Sequence, residues 1–230
     1  MAAEAGAGEV AAREVLLVVA AGPGLGRSVA LRFAREGAAV GLVARSADSA
    51  AALAGELAAA GAPAVATAAA DVGDEQALRA ALGDLARVLG PATALVYNGS
   101  AYVQGSGLTL APADLRLAVD VGVTGAMVAA QEVAPGMREA GRGTVLLTGS
   151  VAADRASTSA TAVGVAKAAL RNLAQSLHKE LAPAGVRVTT VTIDGVLQGP
   201  NALDLAEIAD LYWRLHSQPE APPAVVVHPS

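Results

Sequence analysis

The stretch Glu14-Val15-Leu16-Leu17-Val18-Val19-Ala20-Ala21-Gly22-Pro23-Gly24-Leu25-Gly26 decides how this chain folds. A Val/Leu run, read as a strand over Glu14–Ala20, breaks into a turn of small residues. A helical pattern then starts at Leu25 and runs to Glu36. Small residues let the backbone turn sharply and come close to a ligand. The helix N-terminus behind them offers unpaired N–H groups and the positive end of its dipole. Strand, glycine-rich turn and helix in that order suit a pyrophosphate.

Outward from this unit the same alternation repeats. Further strands are expected at Ala39–Ala44, Ala64–Ala68, Thr93–Tyr97, Gly143–Thr148, Val186–Ile193 and Ala224–His228. They show little polar alternation, as strands covered on both faces do. Helices are expected at Ala47–Ala60, Asp74–Leu89, Pro112–Asp120, Gly125–Ala140, Thr161–Leu181 and Ala202–His216. Gly37, Gly61, Gly90, Gly141 and Gly185 follow helices, where a glycine takes positive φ as a C-cap. The pattern predicts an α/β fold: a Rossmann-like, doubly wound, seven-stranded parallel sheet with helices on both faces and right-handed crossovers. Residues 1–12 read as a flexible arm, and 13–230 as one domain.

Composition narrows the function. The 230 residues suffice for one α/β domain with a full core. Hydrophobic residues make up 53% but aromatics only 2%, so Ala, Val and Leu must build that core. The net charge of −5 and the absence of a basic run argue against nucleic acid or an anionic membrane as the main partner. The early apolar run Val15–Ala21 is too short to span a bilayer. There is no cysteine, hence no disulfide, thiolate metal site or Cys nucleophile, which fits a reducing cytoplasm. His178 and His216 sit among polar neighbours on late helices and read as surface residues. No His/carboxylate cluster has metal-ligand spacing, so no metal is expected.

From about Arg13 to Asp194 the chain resembles the short-chain dehydrogenase/reductase family. Gly24 and Gly26 match the second and third glycines of its Gly-x-x-x-Gly-x-Gly turn. Ala20 replaces the first, and Gly22 adds freedom one step on. The resemblance implies that Ala20, Gly22, Pro23, Gly24, Leu25 and Gly26 hold a nicotinamide dinucleotide. At Ala44 an NAD-preferring member has Asp; a neutral residue followed by Arg45 implies NADP(H), because guanidinium matches the 2′-phosphate. Asp71-Val72 resembles the pair that contacts adenine. Asn98-Gly99-Ser100 resembles an Asn-Ala-Gly motif whose Asn holds the central strand ends while its loop lines the cofactor. After the sixth strand, Pro-Gly-x-x-x-Thr reads Asp194-Gly195-Val196-Leu197-Gln198-Gly199, with Val196 on the cofactor. The short segment at 200–203 implies an open site.

The family's working site is Ser, Tyr, Lys and usually Asn. Carbonyl reduction needs such groups because a hydride arriving at carbon leaves charge on oxygen. Ser150 lies thirteen positions before Val163, the spacing at which the resemblance expects Tyr. Lys167 follows Val163 by four residues, in an otherwise apolar helix where a lone Lys needs a partner; a cofactor ribose would supply one. Val163 cannot donate a proton. Gly122 stands where the Asn is expected. Tyr102, four residues after Asn98, is the candidate substitute phenol, which makes Ser150, Lys167 and Tyr102 the candidate catalytic set. Asp194, at a strand's C-terminal edge, reads as an acid, a cation partner or a turn residue.

Three function classes follow. The first is an NADP(H)-dependent oxidoreductase with a non-standard site, acting on a small molecule such as an imine, enone or activated carbonyl. The second is a non-redox lyase, isomerase, dehydratase or cyclase on the same scaffold. The third is a catalytically silent binding or subunit-like protein. The resemblance also implies a homo-oligomer, dimer or tetramer, associating through the helices Gly125–Ala140 and Thr161–Leu181.

Overall fold

The computed structural model describes residues 14–199, 201–218, 220 and 224–228. The expected flexible arm lies outside them. Each expected strand forms: β1 Val15–Val19, β2 Ala39–Ala44, β3 Val65–Ala69 and β4 Ala94–Tyr97, then β5 Gly143–Ser150, β6 Val186–Ile193 and β7 Ala224–Val227. They make one parallel sheet in the order β3-β2-β1-β4-β5-β6-β7. The order reverses between β1 and β4, the switch point where open α/β sheets bind ligands at the strands' carboxyl ends.

The helices between them are α1 Leu25–Arg35, α2 Ala47–Ala59, α3 Glu75–Leu89, α4 Pro112–Val119, α5 Gly125–Glu139, α6 Thr161–Leu181 and α7 Leu205–Ser217. All but α4, whose Ala118 packs on Ala162 and Ala166 of α6, bury an apolar stripe on one sheet face. Leu78, Leu82 and Leu85 of α3, Val128 and Met137 of α5 and Leu170 of α6 join one core cluster. Val29 and Phe33 of α1, Leu57 of α2 and Ile208 and Tyr212 of α7 join the other. The doubly wound expectation therefore holds. All five glycines that follow helices take positive φ. Gly185 has a second constraint: a Cβ there would come within 2.1 Å of the Gly141 carbonyl oxygen.

The differences from expectation have local causes. β3 is an edge strand and half exposed, not covered on both faces. α7 begins at Leu205, not at Ala202, because Asp204 caps it, accepting from the amides of Ala206 (2.7 Å) and Glu207 (3.4 Å). Residues just before it are held elsewhere: Leu203 N–H donates to the Val196 carbonyl at 2.9 Å, and Asn201 adopts φ 64°.

α4 and α5 are not separate helices. A π turn, Asp120–Thr124, joins them without a break. The joined run Pro112–Glu139 is long and apolar enough to cross a membrane by length and composition, but its inner side packs on the sheet, α3 and α6. The hydroxyl of the buried Tyr97 donates to the Val121 carbonyl inside the π turn. Single π turns recur near functional sites.

Two loops at the carboxyl edge are tied together. The loop after β4 meets the loop after β5 through an isolated parallel bridge between Gly105 and Ala160. Gly105 N–H donates to Ser159 (3.1 Å), and Thr161 N–H donates back to Gly105 (3.3 Å).

Candidate functional site

The glycine turn starts where β1 stops. Ala20 takes φ 61°, the left-handed conformation that glycine adopts without a steric penalty. Strain therefore sits at Ala20 itself, and Gly22 does not relieve it by a positive φ of its own. The turn closes through Gly22 N–H to Ala20 (2.9 Å), and Ala21 N–H reaches Val43 of β2 (2.9 Å). Gly24 begins α1 with no side-chain cap, so the leading N–H groups keep no side-chain partner. Added Cβ atoms at Gly22 or Gly24 would meet open space, whereas one at Gly26 would lie 3.2 Å from Ala21 Cα. Gly26 is thus a packing glycine, and the other two face free volume. Leu25 is buried in the core under α1, and Pro23 is exposed.

In front of this turn lies a groove of ≈ 520 Å³, lined by Gly22, Arg45, Asp71, Asn98, Gly99 and Tyr102 among others. Arg45 follows β2 directly, is exposed, and makes no hydrogen bond or ion pair to a described residue. Asp71 accepts from Gly73 N–H at 2.9 Å, closing the turn before α3, while Asp74 caps the helix by accepting from Ala77 N–H at 3.0 Å. Val72 is buried beside it. Asn98 does hold the strand ends together, but through its backbone N–H to Val19 (3.0 Å), not through its side chain.

Lys167 is 5% exposed. Its Nζ donates to the carbonyls of Thr148 (2.7 Å) and Gly99 (3.4 Å), so backbone oxygens are the partners this buried ammonium has. Burial lowers its pKa from 10.5 to about 8. Gly99 also lines the groove, which places the ammonium directly beneath the groove floor. Ser150 ends β5; its Oγ accepts from Ala152 N–H at 3.2 Å, capping the short 3-10 turn Val151–Ala153 and leaving its own hydroxyl proton uncommitted. Val163 stands one helical turn before Lys167 and is partly exposed. Gly122 is buried in the π turn, where a Cβ would lie 3.3 Å from Ala166 Cβ.

Tyr102 is 67% exposed and lines the groove with Arg45 and Asp71, whereas Ser150 and Lys167 are not among that groove's lining residues. Val196 is exposed, and its backbone pairs with Ala202 to pin the short segment after β6. The other two phenols are committed inside the core. Burial, with Asp71 nearby, pushes Tyr97 above its ordinary pKa; burial does the same to Tyr212, whose hydroxyl meets Thr148 Oγ1 at 2.7 Å.

One cluster was not visible in the sequence. The carboxylate of Asp194, just past β6, takes a bidentate pair from Arg155 (2.7 and 3.0 Å) and lies 3.2 Å from His228 Nδ1. Burial works to raise the Asp194 pKa, but Arg155 and His228 outweigh it and hold the carboxyl below its usual range. Of the three readings for Asp194, the cation partner is the one the geometry supports. His216 needs a correction. Its side chain is only 10% exposed, at the opposite edge of the sheet, with Nε2 3.2 Å from Glu14 Oε2 and Nδ1 buried without a partner. Among the described residues no group of His, Asp and Glu is arranged to hold a metal.

Comparison with known proteins identifies the family and the fold. The family model for short chain dehydrogenases matches residues 14–201. A 2-dehydro-3-deoxy-L-rhamnonate dehydrogenase (NAD(+)) of Sphingomonas sp. (strain SKA58) is 33% identical over 179 residues, covering 76% of this chain and 69% of the relative. Oxidoreductase UcpA of Salmonella typhimurium is 30% identical over 211 residues, covering 91% and 76%. A metagenomic short-chain oxidoreductase solved in complex with NADP superposes with a TM-score of 0.86 at 26% identity, covering 94% of this chain and 97% of that one.

Proposed function

The chain belongs to the short-chain dehydrogenase/reductase family, and we propose that within it the protein is an NADP(H)-dependent oxidoreductase with a non-standard site. Arg45 carries the cofactor preference. It stands at the groove with no partner among the described residues, after the neutral Ala44, where a guanidinium suits a 2′-phosphate. The groove fits a dinucleotide on its own features: uncapped helix N–H groups at Gly24, open space at Gly22 and Gly24, and Lys167 below Gly99. The NADP complex of one structural relative is in line with this, while a sequence relative is named for NAD(+).

When bound, the nicotinamide supplies hydride chemistry. The chain's residues would do the rest. Ala20, Gly22, Pro23, Gly24 and Gly26 shape the phosphate turn, and Leu25 anchors it to the core. Asp71, Val72, Asn98 and Gly99 line the adenine side and floor, with Tyr102 as the aromatic rim. Val196 lies along the nicotinamide end. Lys167 turns from its carbonyl partners to the ribose, and Ser150 holds the substrate's heteroatom by a hydrogen bond from its hydroxyl. Val163 and Gly122, where the family resemblance expects Tyr and Asn, carry no proton. Losing a positioned acid costs roughly 10²–10⁴-fold in rate. That favours substrates needing little acid assistance: a protonated imine, an enone or an activated carbonyl. A homo-oligomer is part of the same proposal.

Calorimetric titration with NADPH and NADH tests the reading. Micromolar NADPH binding, NADH at least tenfold weaker, and loss of that difference in Arg45→Ala support it. Absence of binding by either nucleotide overturns it.

A further inference from the structure

Beside Ser150, the residues on α6 and in the core offer no free group that moves a proton, and Tyr102 lies at the groove rim. Val163 has none, Tyr97 and Tyr212 are sealed in the core, and Lys167 is engaged with two carbonyls. The strand register brings other chemistry to the same edge. Ser150 pairs with Ile193, and Ile193 pairs with Val227. Asp194 and His228 each follow by one residue. With strands ~4.8 Å apart, the Cα atoms of Ser150 and Val227 are roughly 10 Å apart with β6 between them, so the two flank the end of β6, a span that a small substrate group and a bridging water lying over that end would cover.

The pair itself is built. Arg155 clamps both Asp194 oxygens, and Asp194 N–H donates to the Val227 carbonyl at 2.9 Å, fixing the two chain ends together. Asp194 Oδ2 then faces His228 Nδ1 at 3.2 Å. A carboxylate on one ring nitrogen selects the tautomer with the proton on Nδ1 and leaves the Nε2 lone pair outward. His228 is exposed, so that nitrogen is open to solvent and ligand. The ring also borders a small cavity of ≈ 240 Å³ that carries Asp204, Glu207 and Arg214 of the α7 region; with Arg155 and Asp194 these are the charged groups around it.

We propose that His228, oriented by Asp194, is the proton-transfer group of this site, working across the sheet edge from Ser150. The proposal rests on the cofactor reading above. In reduction, a bound nicotinamide would supply the hydride for the new C–H bond. The electron pair of the substrate's C=O or C=N bond moves to its heteroatom. That atom takes a proton from Nε2 of the His228 imidazolium, directly or through one water, and solvent reprotonates the ring. In oxidation the neutral ring takes the same proton back. Asp194 and Arg155 act by positioning, Asp194 through His228 and Arg155 through Asp194.

Nitrogen-15 NMR of the histidine rings, with no nucleotide present, tests the pair directly. The chain has three histidines, and His228→Gln assigns the signal. The expected result is an Nδ1–H tautomer for neutral His228, lost in Asp194→Asn and kept in Arg155→Gln. An Nε2–H tautomer in the wild type, or one indifferent to Asp194→Asn, overturns the pair. In NADPH-coupled turnover, His228→Gln is expected to lower kcat by about 10²-fold with the NADPH Kd unchanged. Unchanged kcat overturns the proton-transfer role. Absence of NADPH binding to the wild type instead overturns the cofactor reading, and the tautomer experiment is independent of that result.

Discussion

Lys167 Nζ donates to the Thr148 carbonyl at 2.7 Å from a position that is almost wholly buried. Burial disfavours its charged form and brings its pKa from 10.5 down to about 8. Between pH 8 and 10.5 the unfolded chain therefore binds more protons at this site than the folded one, and folding stability rises with pH across that window. Lys167→Met abolishes this term. Denaturant unfolding at pH 7.5 and pH 10 is expected to show the stability difference moving towards the wild type by on the order of 2–3 kcal/mol. A difference that stays constant with pH would mean that Lys167 does not titrate abnormally.

Ala20 holds φ 61° at the head of the phosphate turn. An L-residue there costs about 1–2 kcal/mol, and glycine removes that cost while adding unfolded-state entropy worth ~0.4–1 kcal/mol. Ala20→Gly is expected to stabilise by about 0.5–1 kcal/mol, whereas β-branched Ala20→Val should destabilise by more than about 2 kcal/mol. Thermal unfolding of the two variants measures both. A turn that tolerates Val at no cost would contradict the left-handed conformation.

The Glu14 carboxyl is held at about 2, chiefly by its hydrogen bond to His216, then by Thr93 and by the charges of His216 and Arg142, against a burial penalty. Because its folded value is depressed, the stability it contributes is present above pH 4.5 and is lost as pH falls towards 2. Solvent screening at this part-exposed site leaves about 1–2 kcal/mol. His216→Gln should shift the acid unfolding midpoint to higher pH in far-UV circular dichroism. An unmoved midpoint would show that Thr93 and Arg142 suffice.

Val163→Tyr places a phenol one turn before Lys167 on the outer first turn of α6. With Ser150 at the end of β5, it would add an acid on α6, a second proton donor besides His228. NADPH-dependent reduction of an unactivated ketone is expected to rise by at least about tenfold. A variant that binds NADPH but gains nothing would show that Gly122, beside Ala166, also has to change.

The sheet and its order of elements were readable because each signal is local: a buried apolar run, a glycine after a helix, an uncapped turn. Arg45, Lys167 and Ser150 stood out for the same reason, since each follows a strand or a fixed helical spacing. The Arg155–Asp194–His228 cluster was not readable. Its members come from three separate segments and meet only because β5, β6 and β7 align in a register that no single segment encodes. His216 misled for a similar reason: its polar neighbours suggested a surface, but Glu14, far away in sequence, covers it. The π turn at Gly122 was hidden because a helix with one widened turn keeps its apolar face.

The bridge between Gly105 and Ala160 has a kinetic consequence. It ties two loops into one unit, so the two are expected to open together. The amide protons of Gly105 and Thr161 should exchange with solvent at a shared rate. A bound molecule that slows one would slow the other, although the two residues are more than fifty positions apart in the chain.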